Sequence, residues 1–574
     1  MKKAYFFIVV LSCCSTIAMA QSWQWGKRGG STDQLDDLSG HRQEEVYGIV
    51  TDSNKNIYTI SYVGKNNLNV DGNPKTNFGD DTTLTDVCLS SFSCDGAYRW
   101  SKIFGGGGYD YMQSIQIDAQ DNIYVVGGFD TCQYNTVYPP RIDNDFILPQ
   151  TPTENCSLTY IAKFNSSGNL LWIKRPQDRT DSNVSGLIGL STDSAGTSYV
   201  LAMLQPGTYA NGAFTATVAG VFPLYLLKYD TNGNFISGMY LDIQVTAGAS
   251  SIKFTRNPYN GYYYFASQMD DNTATAVIAG HTATHAGFIW CFNDLGQFQW
   301  LKESSGTLYN TIFWYNFAFD PQNNVYISGN ILGGNFENFL GMSSPYGNNP
   351  PFVMKLNPTA DTVLWSTYPN EGGTQTGAIV LKGNEIGVAT SGYGNSYTWG
   401  SQTLNINSTN EGIEVLFARL NKDTGACLGL SRIVGDNGYD DTGCSIAVDA
   451  SGDYILGGGI GHQLTFTTNT IYNIGQQSDF FVAKYSTSVC SLSTKDFKEQ
   501  GLELAPNPVE SMVKIETQEN LTYALYDING KPIKQGKLTE QENTIDFAQL
   551  TTGTYILETT NCNGEVKQVK LLKK

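Results

Sequence analysis

The sequence predicts an all-β chain: a ring of four-stranded repeats followed by a small two-sheet β domain. Three observations predict it. A hairpin pattern turning at Asp, Asn or Gly recurs through residues 23–485. A second hairpin, ending in Trp, alternates with it. Residues 502–574 carry alternating strands of another kind. Charged residues are only 15% of the chain, and the abundant Gly, Asn, Thr, Ser and Tyr suit short strands and turns.

The N-terminal segment reads as a signal peptide over residues 1–20. Lys2 and Lys3 form a positive region, Ala4 to Leu11 is apolar, and Ala18-Met19-Ala20 is a small-x-small cleavage site, so the mature chain begins at Gln21. A second reading is a lipoprotein signal, with Val10-Leu11-Ser12 before Cys13. The apolar run is too short to span a bilayer, and no other stretch is long enough.

The first hairpin is clearest in Ile115-Gln-Ile-Asp118-Ala-Gln-Asp-Asn122-Ile-Tyr-Val-Val-Gly-Gly128. It returns at Ile49 to Tyr58 and at Phe317 to Gly329, more weakly at Leu190 to Tyr199 and Ile446 to Gly458, and in degenerate form near Ile252 to Tyr264 and Ile379 to Val388. Apolar and polar residues alternate on either side of the turn, the period of a half-buried strand. The second hairpin is clearest in Tyr160-Ile-Ala-Lys-Phe164-Asn-Ser-Ser-Gly168-Asn-Leu-Leu-Trp172. Phe92 to Trp100, Phe292 to Trp300 and Leu356 to Trp365 match it. Two hairpins make a four-stranded unit. Asp118 lies 66 residues after Asp52, and Asp193 lies 75 after Asp118. Four strands at so long a period read as propeller blades, seven in all, over residues 21–485.

The chain ends of this region imply closure. The last unit holds Asp479 to Tyr485 but no Trp strand after it, and the mature chain opens with an orphan one, Trp23-Gln-Trp25-Gly-Lys27. Placing Trp25 as the fourth strand of the last blade completes the ring and removes exposed strand edges. The repeats resemble those of secreted bacterial seven-bladed propellers with Asp-x-x-Gly-Asn-x-Tyr hairpins. Long insertions, Phe129 to Ser157 and Leu332 to Pro351, fall between hairpins and belong on the faces, where ligands bind.

Residues 486–501 read as a polar linker. The tail, residues 502–574, reads as a small β-sandwich. It holds Leu504-Ala-Pro506-Asn507-Pro508, then Tyr526 to Lys531, then Leu550-Thr-Thr-Gly553-Thr554-Tyr555-Ile-Leu557, and ends Val569-Lys570-Leu-Leu-Lys573-Lys574. In order and spacing these resemble the type A C-terminal sorting domain of the type IX secretion system of Bacteroidetes. The resemblance implies export through the periplasm to the cell surface or beyond. It implies a type IX translocon and its sortase as partners, with the tail cut off on release or on linkage to surface lipopolysaccharide. Pro506, Asn507, Pro508, Gly553, Thr554, Tyr555, Lys570, Lys573 and Lys574 are the positions that would carry the signal.

Chemistry is sparser. A net charge of −18 argues against nucleic acid and anionic lipid. Glu44, Asp110 and Asp441 each stand eight residues before the Asp of their repeat, which would gather carboxylates around the channel; the bland alternative is a solvated turn residue that caps the strand. The turns Asp52-Ser-Asn54-Lys-Asn56 and Asp230-Thr-Asn232-Gly-Asn234 resemble the start of a Ca2+ loop but lack its downstream Glu, so a structural turn is the favoured reading. His281 and His285 stand in a loop or strand setting, so no metal site is expected, and no cofactor. Recurrent Trp25, Trp100, Trp172, Trp300 and Trp365 suit packing between blades, leaving Trp314, Tyr315 and Trp399 as the better glycan-stacking candidates, with burial in the core or rim as the favoured reading even for these. Local disulfides are possible for Cys88 with Cys94, Cys132 with Cys156, and Cys427 with Cys444. No catalytic motif occurs. The expectation is an exported binding or adhesion module for a protein or glycan, with a secreted glycan-degrading enzyme using channel acids as the alternative.

Overall fold

The structure is a computed structural model. It describes residues 21–33, 44–79, 84–130, 138–148, 157–176, 186–220, 222–245, 249–269, 275–305, 312–331, 338–342, 350–370, 377–406, 412–436, 440–475, 478–487, 490, 502–517, 520–527, 531–539, 542–560 and 566–574. The predicted signal peptide, Cys132, Cys156 and most of the predicted linker lie outside them. Among the described residues every regular element is a β-strand. The chain divides into two compact units, Met1–Val489 and Cys490–Lys574.

In the first of these, each pair of predicted hairpins forms one antiparallel sheet. The first repeat joins Val46–Thr51, Ile57–Val63, Asp86–Phe92 and Tyr98–Gly105. The second joins Tyr111–Ile117, Ile123–Asp130, Ser157–Phe164 and Leu170–Lys174. Four more sheets of the same order follow, and none closes on itself. The seventh holds Thr442–Val448, Tyr454–Ile460 and Asp479–Ser486, and its fourth strand is the N-terminal Ser22–Gly30. Trp25 faces Lys484, and Arg28 faces Phe481, across that ladder. The first strands of successive repeats touch in order. Val46–Thr51 meets both Tyr111–Ile117 on one side and Thr442–Val448 on the other.

The apolar core lies between neighbouring sheets because both faces of each second and third strand are buried. Ile57–Val63 and Asp86–Phe92 are covered along almost their whole length. Tyr58, Ile60 and Leu89 of the first repeat pack with Met112, Ile115 and Tyr160 of the second. The recurrent tryptophans join repeats in series. The Trp25 indole donates to the Cys94 carbonyl, Trp100 to Ser166, Trp172 to Thr231 and Trp365 to Lys422, at 3.1–3.3 Å. Each acceptor sits in the outer turn of the next repeat. That turn carries a glycine on which the ring lies: a methyl at Gly168 would come within 2.6 Å of the Trp100 ring, and Gly168 has φ +81°. Gly168→Ala therefore combines overpacking with backbone strain and is expected to cost about 2–4 kcal/mol in denaturant unfolding. A loss below about 0.5 kcal/mol would show that the turn can slide off the indole.

The Asp turns are structural. Asp52 accepts from the Asn56 backbone and amide and from the Tyr58 hydroxyl, all at 2.7 Å. Asp230 accepts from Asn232 and Asn234 at 2.8–2.9 Å. The carboxylate oxygens that suggested a Ca2+ loop are thus taken by the turn's own donors. In three repeats the Lys of the third strand closes the motif. Lys163 lies 3.6 Å from Asp118, Lys355 lies 3.8 Å from Asp320, and Lys484 lies 3.0 Å from Asp449.

Several insertion hairpins join the sheet of the preceding repeat. Asn69–Val70 and Asn73–Pro74, from the first repeat, extend the seventh sheet beyond Ser22–Gly30. Arg141–Ile142 and Phe146–Ile147, from the predicted insertion in the second, extend the first sheet beyond Tyr98–Gly105. Two proposed disulfides fail. Cys88, Cys427 and Cys444 are free, whereas Cys94 and Cys490 are disulfide-bonded. Cys88 sits within a third strand against the core containing Trp25, and the Cys444 thiol donates to Glu45. Nearness in sequence misled because strand pairing sends these side chains to different neighbours.

The second unit has a three-stranded sheet, Leu502–Ala505, Met512–Thr517 and Glu542–Asp546. Its four-stranded sheet holds Pro532–Leu538, Leu521–Asp527, Gly553–Thr560 and Val566–Lys573. Val513, Ile515, Leu525, Phe547, Leu557 and Leu571 fill the core between them.

Candidate functional site

The three repeat-related acids all lie buried where two repeats meet. Each closes the open end of its own first hairpin. Glu44 accepts from the backbone N–H groups of Gly64 and, at 2.8 Å, Ser31. Asp110 accepts from Asp130 at 3.1 Å, and Asp441 from Gly461 at 2.7 Å. Gly64, Asp130 and Gly461 occupy the same place, at the end of the second strand. Each acid therefore caps a hairpin, as a turn residue would, but away from water.

Each also faces a second acid from the preceding repeat. Glu44 meets Asp479, Asp110 meets Asp86, and Asp441 meets Glu414. A glycine makes room for them: a methyl at Gly30 would collide with Glu44 and Asp479, at Gly105 with Asp86, and at Gly435 with Asp441. A cation attends each pair. Arg28 lies 3.0 Å from Asp479, Lys65 lies 3.6 Å from Asp86, and the Arg432 charge acts on Glu414. Burial, and then the like charge of the partner, raises Glu44 and Asp110. Burial, reinforced by Glu414, Asp436 and Asp440, pushes Asp441 up to about 8.

The sign of the resulting pH dependence follows. An acid raised on folding holds its proton better in the native state, so its contribution is complete below its ordinary value and lost as pH rises through the folded one. For Asp441 the window runs from 3.8 to about 8, at about 1.4 kcal/mol per pH unit. The turn carboxylates act oppositely. Burial alone would raise Asp118, but hydrogen bonds from Asn122, Tyr124 and Gln120 outweigh it and hold the group low. Melting temperature is expected to peak at about pH 4–5 and fall towards pH 8, with Asp441→Asn flattening the alkaline arm. A melting temperature that climbs from pH 5 to 8 would contradict the buried pairs.

A polar cleft lies over two of these pairs. It is lined by Arg28, Lys65, Lys75 and the asparagines 66, 67, 69 and 77. The insertion hairpin Asn69–Val70 and Asn73–Pro74 makes one wall, on the edge of the N-terminal strand. Arg28 donates to Asp479 and, at 3.2 Å, to Asn69 Oδ1. Lys65 donates to the Gly106 carbonyl at 3.0 Å. None of these residues stood out in the sequence. The signal was two lysines among five asparagines between Gly64 and Gly79 of an acidic chain.

The other candidates do not assemble into a surface site. Trp314 and Trp399 are buried, their indoles donating to the Ser267 carbonyl and the Thr367 hydroxyl at 2.8 Å, so neither offers a face to a sugar. Tyr315 is half-buried beside Trp314. His281 stacks on Phe298 at 4.7 Å, while His285 lies 3.5 Å from Glu303.

In the tail, distant motifs converge on the last strand. The Asn507 amide donates to the Lys570 carbonyl and its oxygen accepts from the Leu572 N–H, both at 2.9 Å. Pro506 and Pro508 flank it, exposed. On the strand's other edge Gly553, Thr554 and Tyr555 face Lys573, Leu572 and Leu571. Lys574 donates its backbone N–H to Val509 at 3.0 Å.

Residues 503–574 match the secretion system C-terminal sorting domain. This tail is an export address. The protein passes through the periplasm to the cell surface or into the medium, and the tail engages the type IX secretion machinery. No curated protein matches the chain. Similar solved structures include a quinohemoprotein alcohol dehydrogenase from Comamonas testosteroni, 10% identical, covering 86% of this chain and 79% of that one at a TM-score of 0.34. A protein of unknown function from Dyadobacter fermentans is 10% identical, covering 66% and 95% at a TM-score of 0.35. At these scores neither lends this chain an activity.

Proposed function

We propose that the mature chain is a seven-bladed β-propeller that binds an extracellular glycan or protein, delivered by its type IX tail. The first strands would be the innermost ones, and Ser22–Gly30 would be the clasp of the ring. The translocon would read the tail, and a sortase would remove it on release or surface attachment. Pro506, Asn507, Pro508, Gly553, Thr554, Tyr555, Lys570, Lys573 and Lys574 would carry that signal.

The observation that carries the binding reading is the cleft. Insertions and cleft share one end of the strands, where rigid sheets present polar side chains to solvent. The rival reading, a glycan-degrading enzyme, asks a carboxyl pair to touch the glycosidic bond. Glu44, Asp110 and Asp441 are at most 3% exposed and hold backbone N–H groups of their own hairpins. They serve the fold. Screening the exported chain on a glycan array tests the proposal. Specific retention of one glycan class without turnover supports it, and cleavage of a retained glycan transfers the case to the enzyme reading.

A further inference from the structure

The cleft stands out against the charge of the whole chain. The protein carries −18, yet the ten described residues lining the cleft include three cations and four asparagines and, among them, no carboxylate. Two of the cations are held in place. Arg28 is fixed between Asp479 and Asn69, and Lys65, 2% exposed, is fixed between Asp86 and the Gly106 carbonyl. Lys65 contributes its charge from below the surface, and a ligand meeting Arg28 costs little further side-chain entropy. The third, Lys75, is half-buried with its ammonium 5.1 Å over the Tyr98 ring, and no carboxylate among the described residues pairs with it. The acids behind the cleft hold protons tenaciously because they are buried in pairs, so they cancel the facing charge incompletely.

Charge alone would suit any anion. The asparagines narrow the choice. Asn66 and Asn67 are exposed, and Asn77 is half-buried. Amide groups both donate and accept, which matches hydroxyl groups on a ring. A volume of about 620 Å3 leaves room for a sugar unit or two rather than a bare inorganic ion.

We infer that this cleft binds a carboxylate-bearing sugar, with the uronate carboxylate on Lys75 and Arg28 and its hydroxyls on the asparagine amides. The inference rests on reading the ring as a binding module and names its ligand class. Hydrogen bonds to charged groups are the strong ones, so the carboxylate dominates the affinity.

The test uses the exported full-length chain and titration calorimetry with tetragalacturonate. Its methyl ester keeps the ring hydroxyls and loses the charge. The acid is expected to bind at least about tenfold more tightly than the ester, and more weakly in high salt. Lys75→Gln is expected to weaken binding by about tenfold with only a small fall in melting temperature, since Lys75 makes no ion pair with an acid among the described residues and loses its place over the Tyr98 ring and its distant pull on Asp143. Three results would overturn the inference: equal affinity for acid and ester, unaltered affinity of Lys75→Gln, or no binding of tetragalacturonate. If a neutral glycan is retained on the array with no dependence on Lys75, the module reading survives and this assignment falls. Cleavage on the array removes the module reading itself.

Discussion

A chain ending at residue 565 is expected to accumulate in the periplasm instead of reaching the surface. The missing strand, Val566–Lys573, is one edge of the four-stranded tail sheet, and it sends Val569 and Leu571 into the core. Losing two core side chains and a full ladder costs several kcal/mol, on the order of the whole stability of so small a domain. It also strips Asn507 of both its partners on that strand. Cell fractionation with immunoblotting reads the outcome, which should be nearly all-or-none. Asn507→Ala is the milder version, removing two exposed hydrogen bonds worth about 1 kcal/mol each, and should slow export without abolishing it. Normal surface display of the truncated chain would sink the claim that the folded end of the tail is what the secretion machinery reads.

The second large effect is expected at Trp25. Its side chain is 3% exposed, lies over Gly96 and packs with Val46, Phe92, Phe480 and Val482. Its strand is the fourth member of a sheet whose first three strands come from the far end of the repeat region. Trp25→Ala should cost about 3–5 kcal/mol in denaturant unfolding, because it opens a cavity between the first and seventh repeats and leaves the Cys94 carbonyl without its indole donor. Trp365→Ala is the matched control. It removes the same kind of latch, to Lys422, between two repeats that are already joined in sequence. If the chain depends on the clasp, Trp25→Ala should also expose residues 21–30 to proteolysis while Trp365→Ala does not. Equal protease resistance of the two variants would mean that the ends hold together without this strand.

The repeats were readable because most use the same turn chemistry. An Asp bonds the amides that follow it, and an indole needs a glycine turn to lie on. The Asp demand falls on residues close in sequence, as with Asp118 and Asn122. Each indole lies on the glycine turn of the next repeat, but a hairpin such as that of Gly168 and Trp172 carries both a turn glycine and a Trp, so the pattern is visible in the chain itself. The orphan Trp25 could be placed for the same reason, since one repeat lacked what the other end supplied.

What failed to show depends on neighbours in space. Glu44 and Asp479 lie at opposite ends of the repeat region and meet only when the seventh sheet closes beside the first. The sequence marked Glu44, Asp110 and Asp441 as equivalent but could not show that each is buried against a second acid. Trp314 and Trp399 break the repeat, so the sequence left both burial and a glycan surface open for them, and packing decides for burial, with each indole N–H spent inside. Disulfide guesses from spacing failed likewise.

By itself, then, the sequence determined the strand order, the unit of repetition, the fourth strand of the last sheet and the export tail. The first three rest on local periodicity and turn residues, which act over a few positions whatever surrounds them, and the tail on motifs that resemble the sorting domain. Tertiary structure alone decided which acids pair, which aromatics are covered, and that an inserted hairpin crosses to the preceding sheet to wall a cationic cleft. Those outcomes are set by packing between separate sheets, where burial and charge depend on partners that lie far away along the chain.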